Sequence, residues 1–256
     1  QAMTLGNHEF DHGDELLSRL NDYAKFPVVS TNITYRNPHE AEELVPIEDK
    51  LVLDIAGQPL YVLGLTTLET EEVASPSEKV VFEDHKQALK RVLTEIEEDA
   101  HIVLLSHLGY EDLRLAREFP QLNLIFGGHT HTILSAPSQV GNVSIFQAGQ
   151  YGRFLGNLLL RCYADGSHKV LSYDLVEIDK RKTEDEEIRR VIDQMQAERN
   201  ARFAHPIAQL PAPLDGERDS IRNGRSTLAP LITQALFEHA VSFGYQPDGA
   251  VINGFG

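Results

Sequence analysis

Basic residues are scarce in this chain. Lys and Arg total 23 against 39 Asp and Glu, a formal net charge of -16. A sequence so short of positive charge has no basic face for a nucleic-acid polymer or an anionic membrane surface. If it handles phosphate, the positive charge must come from bound metal or a few placed arginines. Cysteine is nearly absent as well, and the lone Cys162 excludes any internal disulfide. No apolar run approaches the ~18–20 residues of a membrane-spanning helix. Internal repeats and low-complexity segments are missing too, so a repeat array is excluded.

What is present points to a packed globular chain. Apolar content is 41% over 256 residues, enough for one large domain or two smaller ones. Three polar loops follow apolar lead-ins. The first reads Thr4-Leu5-Gly6-Asn7-His8-Glu9-Phe10-Asp11-His12-Gly13. The second, Ser106-His107-Leu108-Gly109, follows Ile102-Val103-Leu104-Leu105. The third, Gly127-Gly128-His129-Thr130-His131-Thr132, follows Leu122-Asn123-Leu124-Ile125-Phe126. Both runs read as buried parallel strands, so three strands should bring Asn7, His107, His129 and His131 to one edge of one sheet. Imidazoles with an amide oxygen suit Zn, Mn, Fe or Co better than Ca. Taken alone, the Asn7-His8 pair reads as a polar turn whose side chains cap backbone groups, and His107 as a hydrogen-bonded loop histidine; the three motifs together favour metal ligation.

In chain order, residues 14–24 carry Leu16, Leu17 and Leu20 at helical spacing. Residues 27–32 read as a strand, and 51–55 with 60–65 as a hairpin about Ala56-Gly57. Residues 66–77 read as a surface loop. Residues 84–98 form an amphipathic helix and 110–119 a short one closed by Pro120. Strands follow at 143–148, 157–163 and 170–178. Alternation first and strands alone afterwards suit two sheets packed face to face with helices outside. Composition shifts at Asp179. A charged helix is expected over 180–202, opened by a Thr183/Glu186 capping box. Beyond it, Pro206, Pro211 and Pro213 introduce a further segment with a helix at 226–240 and a strand at 249–254.

The ordered set Gly-Asn-His-Glu-Phe-Asp, Ser-His-Leu-Gly and Gly-Gly-His-Thr-His-Thr resembles the calcineurin-like metallophosphoesterases. Within them it is most similar to the 5′-nucleotidase / UDP-sugar hydrolase branch. The resemblance implies an α/β (α+β) fold, a four-layer α-β-β-α sandwich. It implies a metallophosphoesterase domain over 1–179, a helical linker over 180–203 and the start of a substrate-binding C-terminal domain over 204–256. It also implies two divalent ions (Zn, Mn, Co, Fe or Mg), with Asn7, His107 and His129 on one and His131 on the other. His8 would act on the phosphoryl and leaving-group oxygens, held by Asp11, while a metal-bound water attacks phosphorus in line. Arg222 falls where an arginine contacts the substrate phosphate, although a surface arginine beside a helix start is an equal reading. Asn253 stands in a stretch similar to an Asn-Gly-Gly-Gly-Ile-Arg loop.

The departures are specific. The family's Asp-x-His motif and bridging Asp should precede Gly6, and only five residues do. Arg225, Ala229-Pro230 and Phe255 replace the usual Glu, Gly-Asn and Gly. The chain therefore reads as an internal fragment, expected to lack turnover by itself and to expose unpaired apolar sheet surface. The parent activity is expected to be nucleotide 5′-phosphomonoesterase. A nucleotide-sugar or cyclic-nucleotide phosphodiesterase and a non-catalytic binding remnant are the alternatives. The resemblance implies a nucleotide or nucleotide-sugar substrate and a periplasmic, secreted or cell-surface setting, with no protein partner evident.

Overall fold

The computed structural model describes residues 1–14, 17, 19, 20, 23–37, 47–179, 183–206 and 208–252. β1 (Val28–Val29), β2 (Ile33–Tyr35) and β3 (Ile47–Glu48) are short; β1 pairs with β3 in parallel. β4 (Leu51–Ile55) and β5 (Gln58–Thr66) form a hairpin about Ala56 and Gly57, both in left-handed backbone. α1 (Thr70–Val73) and β6 (Val80–Phe82) come next, β6 pairing antiparallel with β2. In α2 (His85–Leu93) the first turn is capped by Asp84, which accepts from the Lys86 and Gln87 N–H groups. β7 (His101–His107), α3 (Asp112–Glu118), β8 (Leu124–Gly127), β9 (Ser138–Val140) and β10 (Val143–Phe146) follow. The long antiparallel pair β11 (Phe154–Cys162) and β12 (His168–Glu177) completes the first of two compact units, Gln1–Thr183.

The main sheet has six strands in the order β4-β5-β7-β8-β10-β9. β5, β7, β8 and β10 run parallel, and the edge strands β4 and β9 run antiparallel. Parallel strands are covered on both faces, which is why their sequences are continuous apolar runs rather than alternating ones. On one face Leu63, Leu65, Leu104, Ile125 and Ile145 pack with Leu89 and Val92 of α2 and Leu115 of α3. On the other, Val103, Leu124 and Phe146 meet Leu158, Leu160, Val170 and Tyr173 of the β11–β12 pair. Each such leucine contributes about 1.5–3 kcal/mol by leaving water. The result is a mixed α/β arrangement with a helical layer, a central sheet and a second β layer. An apolar cleft of about 720 Å³ separates part of the two β layers, lined by Leu53, Leu60, Val103, Leu105, Phe126 and Leu158.

Several local expectations shift. Residues 66–77 are not simply a surface loop, because Thr66, Thr67 and Thr70 are buried and α1 forms within them. Asp14 is buried and accepts from both the N–H and the hydroxyl of Ser77, a pin between distant segments. The helix expected over 84–98 ends at Leu93. The Asn7 loop does not ride on the main sheet; its lead-in bridges β1 instead, through Met3 and Val28.

The second unit, Glu184–Gly256, is helical: α4 (Glu186–Arg202), α5 (Arg218–Arg222) and α6 (Leu228–Ser242). α4 starts two residues later than a Thr183 cap would place it. Asp185 is the cap, accepting from the Glu187 and Ile188 N–H groups, since a carboxylate satisfies two first-turn donors and complements the helix dipole. Residues 249–252 are not a strand; among the described residues they have no ladder partner. Leu16, residues 180–182 and Asn253 lie outside the described residues.

Candidate metal centre

β7 and β8 end side by side, with Ser106 in register with Gly127. Their carboxyl ends deliver His107 and the Gly127-Gly128-His129 turn to one edge, the place where open α/β sheets put ligands. The first loop reaches that edge separately. Leu5 is tied down by the Thr66 hydroxyl, which donates to its carbonyl at 2.8 Å. Asn7–Phe10 then wind into a single 3-10 turn, and Glu9 folds back to accept the Gly6 N–H at 2.7 Å. Phe10 is buried against the Leu5 cluster and anchors the turn.

This places Asn7, itself buried, with its Oδ1 3.1 Å from His107 Nε2, across 100 residues of chain. Two ligands each roughly 2.1 Å from one ion lie roughly 3.0–3.4 Å apart, so this pair is aimed at a common point. The His107 ring lies 5.1 Å from that of His129, centroid to centroid. Burial, then the neighbouring His129, His8 and His131, push the His107 pKa down to about 4. It is therefore neutral across the physiological range, the form that ligates metal. An amide oxygen with two imidazoles is a donor set that fits one divalent cation.

His8 and Asp11 sit beside this group. His8 Nδ1 lies 2.8 Å from Asp11 Oδ2, and the His8 side chain is 73% exposed. His131 follows in left-handed backbone with φ of 58°. His12 is exposed.

Two further residues shape the site. Glu69, at the start of α1, brings Oε2 to 3.2 Å from His129 Nε2. Gln147, just past β10, holds the double-histidine loop. Its Oε1 accepts the Thr132 N–H at 2.6 Å and the Thr130 hydroxyl at 2.9 Å, and its Nε2 donates to the Gly128 carbonyl. Neither stood out in the sequence, because Glu69 lies in a run with Glu71 and Glu72 and Gln147 belongs to no motif. Only the register of β8 beside β10 brings Gln147 under the loop. Among the described residues, no three His, Cys, Asp or Glu side chains come close enough to hold a metal by themselves; the neutral oxygen of Asn7 is needed to complete a set. Arg222 closes α5 in the second unit.

With this fold and this edge, the chain belongs to the calcineurin-like phosphoesterase family, whose description matches residues 1–132. Members of that family carry a dimetal centre. The trifunctional nucleotide phosphoesterase protein YfkN of Bacillus subtilis is 29% identical over 277 residues, covering 93% of this chain and 19% of that protein. The snake venom 5′-nucleotidase of Gloydius brevicauda is 27% identical, covering 94% of this chain and 45% of that protein. The crystal structure of a 5′-nucleotidase precursor from Thermus thermophilus superposes with a TM-score of 0.78 at 31% identity, over 96% of this chain and 52% of that one. The chain thus spans about half the length of these relatives or less.

Proposed function

We propose that this chain is part of a metal-dependent phosphoric-ester hydrolase acting on nucleoside 5′-monophosphates, releasing nucleoside and phosphate. The observation that carries the reading is the Asn7–His107 contact of 3.1 Å, made by two motifs a hundred positions apart with His129 beside them. The names of the relatives, a nucleotide phosphoesterase and 5′-nucleotidases, support a nucleotide as substrate. The snake venom relative supports a setting outside the cytoplasm.

Asn7, His107 and His129 are assigned to one divalent ion and His131 to a second, with Zn, Mn, Co, Fe or Mg all compatible. Bound there, the ions would supply Lewis acidity toward the phosphoryl oxygens and a nucleophilic water near neutral pH. A chain of net charge -16 needs that local positive charge to accept a phosphate at all. Asn7 adds no charge of its own, and His107 enters already deprotonated.

His8 is assigned to the reacting phosphoryl group. Asp11 engages Nδ1, which fixes that nitrogen as the protonated one and turns Nε2 outward. When protonated, Nε2 donates to the phosphoryl or leaving-group oxygen as negative charge develops there. Arg222 and Asn253 are assigned to the substrate through the sequence stretches that carry them.

A nucleotide-sugar or cyclic-nucleotide phosphodiesterase is the second reading, since the name of the Bacillus relative, a nucleotide phosphoesterase, is not restricted to monoesters. The test is product formation by the complete protein supplied with Mn²⁺ or Zn²⁺, read as inorganic phosphate from a nucleoside monophosphate, as nucleoside monophosphate plus sugar phosphate from a nucleotide sugar, and as nucleoside monophosphate from a cyclic nucleotide. Adenosine monophosphate, UDP-glucose and a cyclic nucleotide are the substrates. Turnover of the monophosphate supports the proposal, and turnover of the diesters alone favours the second reading. Metal uptake by the complete protein with no turnover of any substrate leaves a binding remnant.

A further inference from the structure

Tyr151 stands on the loop between β10 and β11 with 87% of its surface exposed, so packing does not explain its position. Its backbone is left-handed, with φ of 61°. Among the described residues four non-glycine positions have that conformation. Ala56 belongs to a hairpin turn, and the other three, His129, His131 and Tyr151, stand on the loops of the candidate centre. Strain of this kind persists only where surrounding contacts impose it, and it gathers at functional sites.

The contacts that impose it are visible. The Gly149 N–H donates to the Thr132 carbonyl at 3.0 Å and the Leu134 N–H to the Gln147 carbonyl at 3.0 Å. Ile133 bridges Ala148 antiparallel between them. The Tyr151 loop is thereby locked against the segment that carries His131. Gly149 is part of the lock, since a Cβ there would stand 2.9 Å from Ile133 Cγ1. The centroid of the Tyr151 ring lies 6.5 Å from that of His131, the two planes inclined at 42°.

We propose that Tyr151 is a specificity-determining residue whose ring packs against the nucleoside of the leaving group. The inference rests on the phosphomonoesterase reading above. His131 is assigned above to the second ion, and an exposed aromatic ring whose centroid lies 6.5 Å from its own is within reach of the organic half of an ester held at that ion. A flat ring pair of this kind has its own energetic preference beyond buried area.

The test compares adenosine monophosphate with methyl phosphate, which has no ring to contact, in the metal-loaded full protein. Tyr151→Gly removes the ring and suits the left-handed φ, so the loop keeps its path. The ratio of kcat/KM for the nucleotide over methyl phosphate should fall about two- to tenfold, chiefly through KM, and Tyr151→Phe should restore it. An unchanged ratio in Tyr151→Gly, or equal losses on both substrates, overturns the inference while the function stands. Wild-type protein that takes up metal and hydrolyses neither substrate overturns the function, and this inference with it.

Discussion

Gly6 and His107 are in such close approach that a single added carbon would separate the site. A Cβ on Gly6 would lie 2.7 Å from His107 Cε1 and 2.8 Å from Nε2, the nitrogen that faces Asn7. The Gly6 backbone, at φ -103° and ψ -174°, is extended and open to any residue, so the requirement is space alone. Gly6→Ala should therefore leave the fold intact but displace the His107 ring, at about 1–3 kcal/mol of overpacking. Calorimetry with Mn²⁺ or Zn²⁺ should show affinity weaker by about 5- to 150-fold, by the usual conversion of such energies. Wild-type affinity in Gly6→Ala would remove His107 from the ligand set.

Asp112 gives the protein a pH-dependent stability. It is buried beneath Gly127, with the Ser106 hydroxyl donating to Oδ1. Burial, reinforced by Glu111 and opposed by the Ser106 hydrogen bond, raises its pKa from 3.8 to about 7. The folded state therefore holds a proton that the unfolded state has released. Stability from this group is complete below pH 3.8, declines as pH rises, and is lost above about 7. The full change is of order 2–4 kcal/mol. Asp112→Asn keeps an acceptor for Ser106 and removes the ionisation. Urea unfolding at pH 5 and pH 8 should give a larger drop for wild type than for Asp112→Asn, and equal drops would refute the burial argument.

The contrast between what was legible and what was not follows from range. The parallel strands β7 and β8 were readable because burial on both faces demands uninterrupted apolar runs, and their terminal motifs came with them. The path of Asn7 was not, because its lead-in makes one bridge to the two-residue β1 and no ladder of its own. Glu69 and Gln147 reach the histidines across 60 and 19 residues, to His129 and Gly128, and no local pattern marks either. The cap of α4 turned on a choice between Thr183 and Asp185, both acceptable cap residues, that only backbone geometry settles.

Gln147 should matter more than its distance from any ligand suggests. Replacing it with Leu keeps the volume but leaves the Thr132 N–H and the Gly128 carbonyl without their partner on either side of His129 and His131. A buried polar group so deprived costs about 1–3 kcal/mol. The left-handed backbone of both histidines should then relax. Gln147→Leu is expected to lower the midpoint of thermal unfolding and weaken metal binding together. A variant that loses stability while binding metal normally would confine Gln147 to a packing role.

His8 provides the sharpest division between holding metal and doing chemistry. Its Nδ1 is engaged by Asp11, and the side chain is largely exposed, whereas Asn7 and His107 face each other. A residue that acts only on developing charge should affect kcat and leave metal affinity alone. His8→Asn in the complete, metal-loaded protein is expected to lower kcat by about 10²–10⁴-fold. Asp11→Asn should lower it less, because the imidazole remains and only its orientation is loosened. Metal affinity measured by calorimetry should match wild type in both variants. Parallel loss of metal and activity in His8→Asn would instead make His8 a ligand, and the proton donor would have to be sought elsewhere on the same edge.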